Sequence, residues 1–150
     1  MRVLGIDLGS KRIGIAVSDS DGRVATPLTV VQRSKDLAGD RRRIAELARE
    51  WEAEGLVVGL PLSLDGSEGI AARAARAEAA ALGDCTSLPV ATYDERLTTV
   101  TAEQRLVEQG LDARQRRAVV DQVAAAVMLQ AWLDGHRDVA DPFGAADEGR

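Results

Sequence analysis

The chain opens with three short apolar runs, at residues 2–8, 13–18 and 24–31, each bounded by turn residues. That pattern predicts three hairpin-linked β-strands. Gly9 and Ser10 carry the first turn, and Ser18-Asp19-Ser20-Asp21-Gly22 supplies the second. Pro27 has no N–H to give to a ladder, which predicts an edge position or a bulge in the third strand. The period then changes. Between about Asp36 and Glu54 the apolar residues Ile44, Leu47, Ala48 and Trp51 recur at helical spacing, with Gly55 as the expected C-terminal cap. Leu56-Val57-Val58-Gly59 reads as a buried parallel strand. An alanine-rich helix follows from about Ile70 to Leu82, ending near Gly83, and residues 89–93 form a fifth strand. Helices at about 101–109 and Ala113–Asp134 complete the set, separated by Gly110, with Asp112 as an N-cap. The expected fold is α/β: one mixed five-stranded sheet, three strands antiparallel and two parallel, flanked by helices. The expected domain spans 1–134, and residues 135–150 are small, polar and acidic, which predicts a flexible tail.

Composition narrows the function classes. A chain of 150 residues with 45% hydrophobic and 29% charged positions suits one soluble domain. No apolar run is long enough to span a bilayer, and the first strand starts at once, so no membrane partner and a cytoplasmic location are expected. The lone Cys85, in what reads as a polar loop, cannot form an internal disulfide and fits a reducing compartment. The net charge of −5 argues against a simple nucleic-acid-binding module. The segment from Asp134 onward holds five acids against two arginines, so residues 1–133 carry only −2 of that total of −5. The bases are almost all arginine, which suits bidentate phosphate contacts. Arg41, Arg42 and Arg43 point in different directions on a helix and read as a solvated face. His136 sits in the expected tail, away from any candidate chemistry.

Four carboxylates stand out, at three places in the chain. Asp7 interrupts the first apolar strand, where an acid needs hydrogen bonds or a metal to offset lost hydration. On that stretch alone, a metal- or phosphate-facing role and a bond to the following turn both fit. Asp94 and Glu95 end the fifth strand, at the sheet edge where α/β folds collect ligands. Alternation lets at most one of them share a face with Asp7. Asp121 falls on the inward side of the last helix, beside Ala124, Ala125, Met128 and Trp132, while Gln122, Ala126 and Gln130 mark its polar stripe. Acids from a strand, a strand end and a helix can form an oxygen cage for Mg²⁺ or Mn²⁺. Two such ions would support phosphodiester cleavage with no Ser, Cys or His nucleophile.

Four motifs occur in order: Gly5-Ile6-Asp7-Leu8-Gly9-Ser10-Lys11-Arg12-Ile13-Gly14, Val58-Gly59-Leu60-Pro61-Leu62 with Asp65-Gly66, Asp94-Glu95-Arg96-Leu97-Thr98-Thr99, and Asp121-Gln122-Val123-Ala124-Ala125. Together they resemble the YqgF/RuvX family of the ribonuclease H-like superfamily, over residues 3 to about 133. The resemblance implies a ribonuclease H-like domain with Asp7, Glu95 and Asp121 as catalytic metal ligands. Asp94 would support them, and Arg96, Lys11 and Arg12 would lie close to the site. It also implies a metal-dependent nuclease acting on nucleic acid. The substrate would be precursor 16S ribosomal RNA cut at its 5′ end, or a four-way Holliday junction. A junction resolvase calls for a homodimer; an RNA-processing enzyme does not.

Two other classes compete. Asp7-Leu8-Gly9-Ser10 followed by Lys11 also resembles the first phosphate loop of actin-like and sugar-kinase ATPases, but this chain holds one copy and no glycine-rich adenosine motif. A non-catalytic RNA-binding assembly factor is the third class, and the 3% aromatic content and acidic balance do not favour it.

Overall fold

The computed structural model describes residues 1–62, 65–95 and 113–144, and the side chains among these except those of 113–122. Its strands are β1 (Val3–Leu8), β2 (Arg12–Ser18), β3 (Ala25–Gln32), β4 (Gly55–Leu60) and β5 (Val90–Asp94). Its helices are α1 (Leu37–Glu50), α2 (Ile70–Thr86) and α3 (Ala113–Gly135). The expected helix at 101–109, Gly110 and the Asp112 cap lie outside the described residues.

The sheet runs β3-β2-β1-β4-β5. β1 pairs antiparallel with β2, and β2 with β3, while β4 is parallel to both β1 and β5. β3 is an edge strand, and its register with β2 shifts between Ile15, opposite Thr29, and Ala16, opposite Pro27. The bulge and the edge position accommodate a proline that cannot donate to a ladder.

Alternation along the strands splits the core in two. Leu4, Ile6, Ile13, Ile15, Val17, Leu56 and Val58 face α1 and α2, joined by Ile44, Ala48, Ala79 and Leu82. Val3, Ala16, Val57 and Ala91 face α3, joined by Ala125, Met128, Leu129, Trp132 and Leu133. Gly5 lies on this second face, where an added Cβ would come within 2.9 Å of the Leu129 Cβ. Its missing side chain lets α3 settle directly on β1.

Several local expectations change. α1 starts at an Asp36 cap that accepts from the Gly39 N–H at 3.0 Å. It ends at Trp51 with Glu52 in the left-handed region (φ 55°), and Ala53 N–H bonds back to the Ala48 carbonyl. Gly55 is therefore not the cap; it opens β4, and the Phe143 ring fills the space its side chain would need. α2 continues through Gly83 to Thr86, with Ser87 as the left-handed residue. Cys85 is exposed in the last turn of α2, not in a loop. Arg41 is not merely solvated: it grips Glu78 with two bonds of 2.8 and 3.0 Å, tying α1 to α2. On α3, Ala126 is buried, and Gln130 accepts from Ala25 N–H and donates to the Arg23 carbonyl. The Gln130 end of the expected polar stripe thus docks on the start of β3.

The chain beyond 134 also packs. His136 stacks on Trp132 with ring centroids 4.5 Å apart, its Nδ1 bonded to the Trp132 carbonyl at 2.7 Å. Phe143 is buried against Trp132 and Gly55. The packed unit therefore reaches Phe143 rather than stopping at 134, because one large ring outweighs the polar residues around it. Residues 145–150 lie outside the described set.

Candidate active site

The site forms on the α3-facing side of the sheet, at the carboxyl ends of β1, β4 and β5. Asp7 shares the face of Val3 and Gly5, four and two residues before it. On β2 its pairing partner is Gly14. On β4 the parallel register aligns Ile6 with Val58, so the next pair along is Asp7 and Gly59. The central carboxylate is thus flanked on both sides by glycine.

Glu95 follows β5 on the same face, two residues past Tyr93 and four past Ala91. Its side chain crosses over β4 at Gly59: a Cβ there would sit 2.6 Å from the Glu95 Cδ and Cγ. The glycine is a requirement of the site, since only a bare backbone lets an acid from the sheet edge reach the central strand. Glu95 reaches Asp7 and hydrogen-bonds it. Its carboxyl is pushed up to about 9, first by burial, then by the hydrogen bond and charge of Asp7, then by the charge of Asp94. At neutral pH the bare site therefore keeps Glu95 protonated beside Asp7. Of the two acids at the end of β5, Glu95 is the one that shares the Asp7 face, and Asp94 acts on it through charge.

The backbone of α3 carries Asp121 one helical turn before Ala125. Ala125 packs at Gly5, two residues before Asp7. The side chain of Asp121 and all of Arg96 lie outside the described residues. Among the described residues no group of three metal-ligating side chains is assembled. The donor set that is described still fits a hard cation. Two carboxylates brought together in partial burial need positive charge, and a divalent ion can replace the Glu95 proton.

The β1–β2 turn borders this site. Gly9 N–H bonds the carbonyls of Asp7 (3.1 Å) and Arg12 (2.9 Å). Lys11 is exposed at the turn, and Arg12 opens β2 on the face of Gly14 and Ala16. Sequence reasoning missed Arg33, whose Nε donates to the Gly9 carbonyl at 2.5 Å. No spacing pattern marks it, because its contact is made across strands.

Comparison with known proteins adds lineage. The family model described as RuvX, Holliday junction resolvase, matches residues 1–135. A protein of Anaeromyxobacter sp. (strain Fw109-5), named "Putative pre-16S rRNA nuclease", is 55% identical over 135 residues, 90% of this chain and 98% of that protein. A Rhodococcus opacus (strain B4) protein of the same name is 51% identical, covering 89% of this chain and 77% of its own length. In fold, the chain is similar to Thermus thermophilus RuvC, solved with a Holliday junction substrate (TM-score 0.59, 18% identity, 92% of this chain and 96% of that one).

Proposed function

The chain belongs to the RuvX family, and from that premise we propose that it is a metal-dependent nuclease maturing the 5′ end of 16S ribosomal RNA from its precursor. The observation that carries the catalytic reading is the Asp7–Glu95 pair meeting across Gly59. Asp7, Glu95 and Asp121 are the proposed ligands of Mg²⁺ or Mn²⁺, with two ions in the working complex. Bound there, such ions would supply Lewis acidity for the scissile phosphate and for the attacking water. The protein's own part is to hold the ligands and orient the strand. Asp7 is fixed by ladders on both sides, which sets its carboxylate without a flexible loop. Glu95 would give up its proton to a bound cation, and Asp94 adds negative charge beside it. Lys11, Arg12 and Arg96 are the proposed phosphate contacts.

The relatives' shared name favours precursor RNA as substrate. The family's description as a Holliday junction resolvase supports a second reading, cleavage of four-way DNA by a homodimer. Purified protein, given Mg²⁺ or Mn²⁺, is to be offered a labelled 16S precursor and a four-way junction. RNA cleavage that disappears in Asp7→Asn and Asp121→Asn is the expected result. Cleavage of the junction alone would reverse the substrate, and full activity in both variants would remove the nuclease reading. Among the described residues no helix is long and apolar enough to cross a membrane; a cytoplasmic site of action is part of this proposal.

A further inference from the structure

The acidic centre explains cleavage but not how a phosphodiester backbone is brought to it, and the basic residues beside it sit on a tight turn. That turn is gripped from outside. Past the end of β3, Arg33 N–H donates to the Lys11 carbonyl at 2.9 Å, and the Arg33 Nε donates to the Gly9 carbonyl at 2.5 Å. The segment holding Arg33 is itself tied down. Asp40, on the first turn of α1 and only 4% exposed, accepts from the Ser34 N–H at 3.0 Å and the Ser34 hydroxyl at 2.8 Å. These bonds, with Arg43 and Arg33 nearby, hold the Asp40 carboxyl below its usual range. A continuous set of contacts thus runs from α1 through Ser34 and Arg33 to the turn that carries Lys11 and Arg12. A buried acid so fully used on one exposed serine has the clamping of this segment as its evident effect.

We infer that Arg33 is a positioning residue: its Nε–H, donated to the Gly9 carbonyl, sets the β1–β2 turn so that Lys11 and Arg12 meet the substrate's phosphodiester backbone. This rests on the nuclease reading for the identity of the substrate. Arg33 acts through the turn, so its geometry matters more than its charge.

Two near-isosteric changes separate those terms. Arg33→Gln places an amide donor at the position of Nε and removes the charge. Arg33→Lys keeps the charge and puts a methylene there instead. Arg33→Met removes both, and thermal melts of each variant report the fold. Equilibrium binding of the fluorescent precursor RNA is measured by anisotropy in EDTA at low salt, alongside KM and kcat with Mg²⁺. The expected order is wild type, then Gln within about threefold, then Lys and Met weaker by about tenfold, the size of one charge-assisted bond. That loss falls on Kd and KM, with kcat at saturation little changed. The salt dependence of Kd should also flatten in Lys by more than one phosphate contact, about 0.7 in slope for a single strand. Lys binding better than Gln would show simple charge attraction and overturn the proposal, as would unchanged Kd in folded Lys and Met variants. Because binding is read without cleavage, a wild type that binds but does not cut would count against the nuclease reading alone.

Discussion

Glu95→Gln, followed by stability against pH in EDTA, tests the proton held by Glu95 beside Asp7. In the folded chain Glu95 is raised from 4.5 to about 9. Unfolded, it returns to the ordinary carboxylate range. Between these values the folded state binds up to one more proton than the unfolded state. Stability then falls as pH rises, at up to about 1.4 kcal/mol per pH unit. The contribution is fully present below about pH 4.5 and is lost as pH climbs through about 9. For a domain of this size, about 1 kcal/mol moves Tm by roughly 2–4 °C. Wild type should therefore lose about 3–6 °C per pH unit relative to Glu95→Gln between pH 6 and 8. Subtracting the two profiles cancels the titrating groups that lie away from Glu95, Asp7 and Asp94. Asp19, Asp40 and Asp134 are lowered instead, so they act below pH 4, outside the window. Circular-dichroism melts at half-unit steps are sufficient. Saturating Mn²⁺ should flatten the wild-type profile, because the cation replaces the proton. Parallel wild-type and Glu95→Gln profiles in EDTA would refute the protonated Glu95.

Other substitutions divide stability from chemistry. Gly59→Ala should displace Glu95 and weaken Mn²⁺ binding and cleavage by roughly 10–100-fold, with Tm nearly unchanged; retained activity would show that Glu95 does not need to cross β4. Phe143→Ala should cost about 3–5 kcal/mol, and an unchanged Tm would return residues 135–144 to a tail. Gly5→Ala should lower Tm through overpacking worth about 1–3 kcal/mol, since Leu129 cannot retreat from β1; a neutral result would mean α3 is loosely seated. EDTA should abolish cleavage while leaving the far-UV circular dichroism intact, because both cores are apolar; unfolding in EDTA would make the metal structural.

The strand and helix order could be read from sequence because short apolar runs, turn residues and a change of period are local signals. Asp7 and Glu95 were legible as candidates for the same reason: each is an acid where a strand pattern calls for an apolar residue or an end. What stayed hidden depends on contacts far apart in sequence. Gly55 looks like a helix cap until Phe143, 88 positions later, is seen filling its side-chain space. Gln130 looks solvent-facing until it caps the free end of β3. Arg33 has an ordinary sequence neighbourhood, and its bond to Gly9 exists only because β3 runs beside the hairpin.

The glycines of the opening hairpin and of β4 belong to one design, which the period of two makes visible. Residues facing α1 and α2 are large: Leu4, Ile6, Ile13, Ile15, Leu56 and Val58. On the side facing α3, Val3, Val57 and Tyr93 are the larger residues, and the positions around the site are small or acidic: Gly5, Asp7, Gly14, Ala16, Gly59 and Ala91. Strand alternation thus writes a load of apolar volume and a thinned surface into the same six-residue runs. The thin side does two things that a filled side could not. It lets α3, with Asp121 on its backbone, lie close to β1, and it lets Glu95 cross to the central strand. Stability should therefore respond mainly to changes on the large-residue face, and metal affinity to changes at Gly14 and Gly59. Gly5 is the exception, because it seats the helix and so serves both.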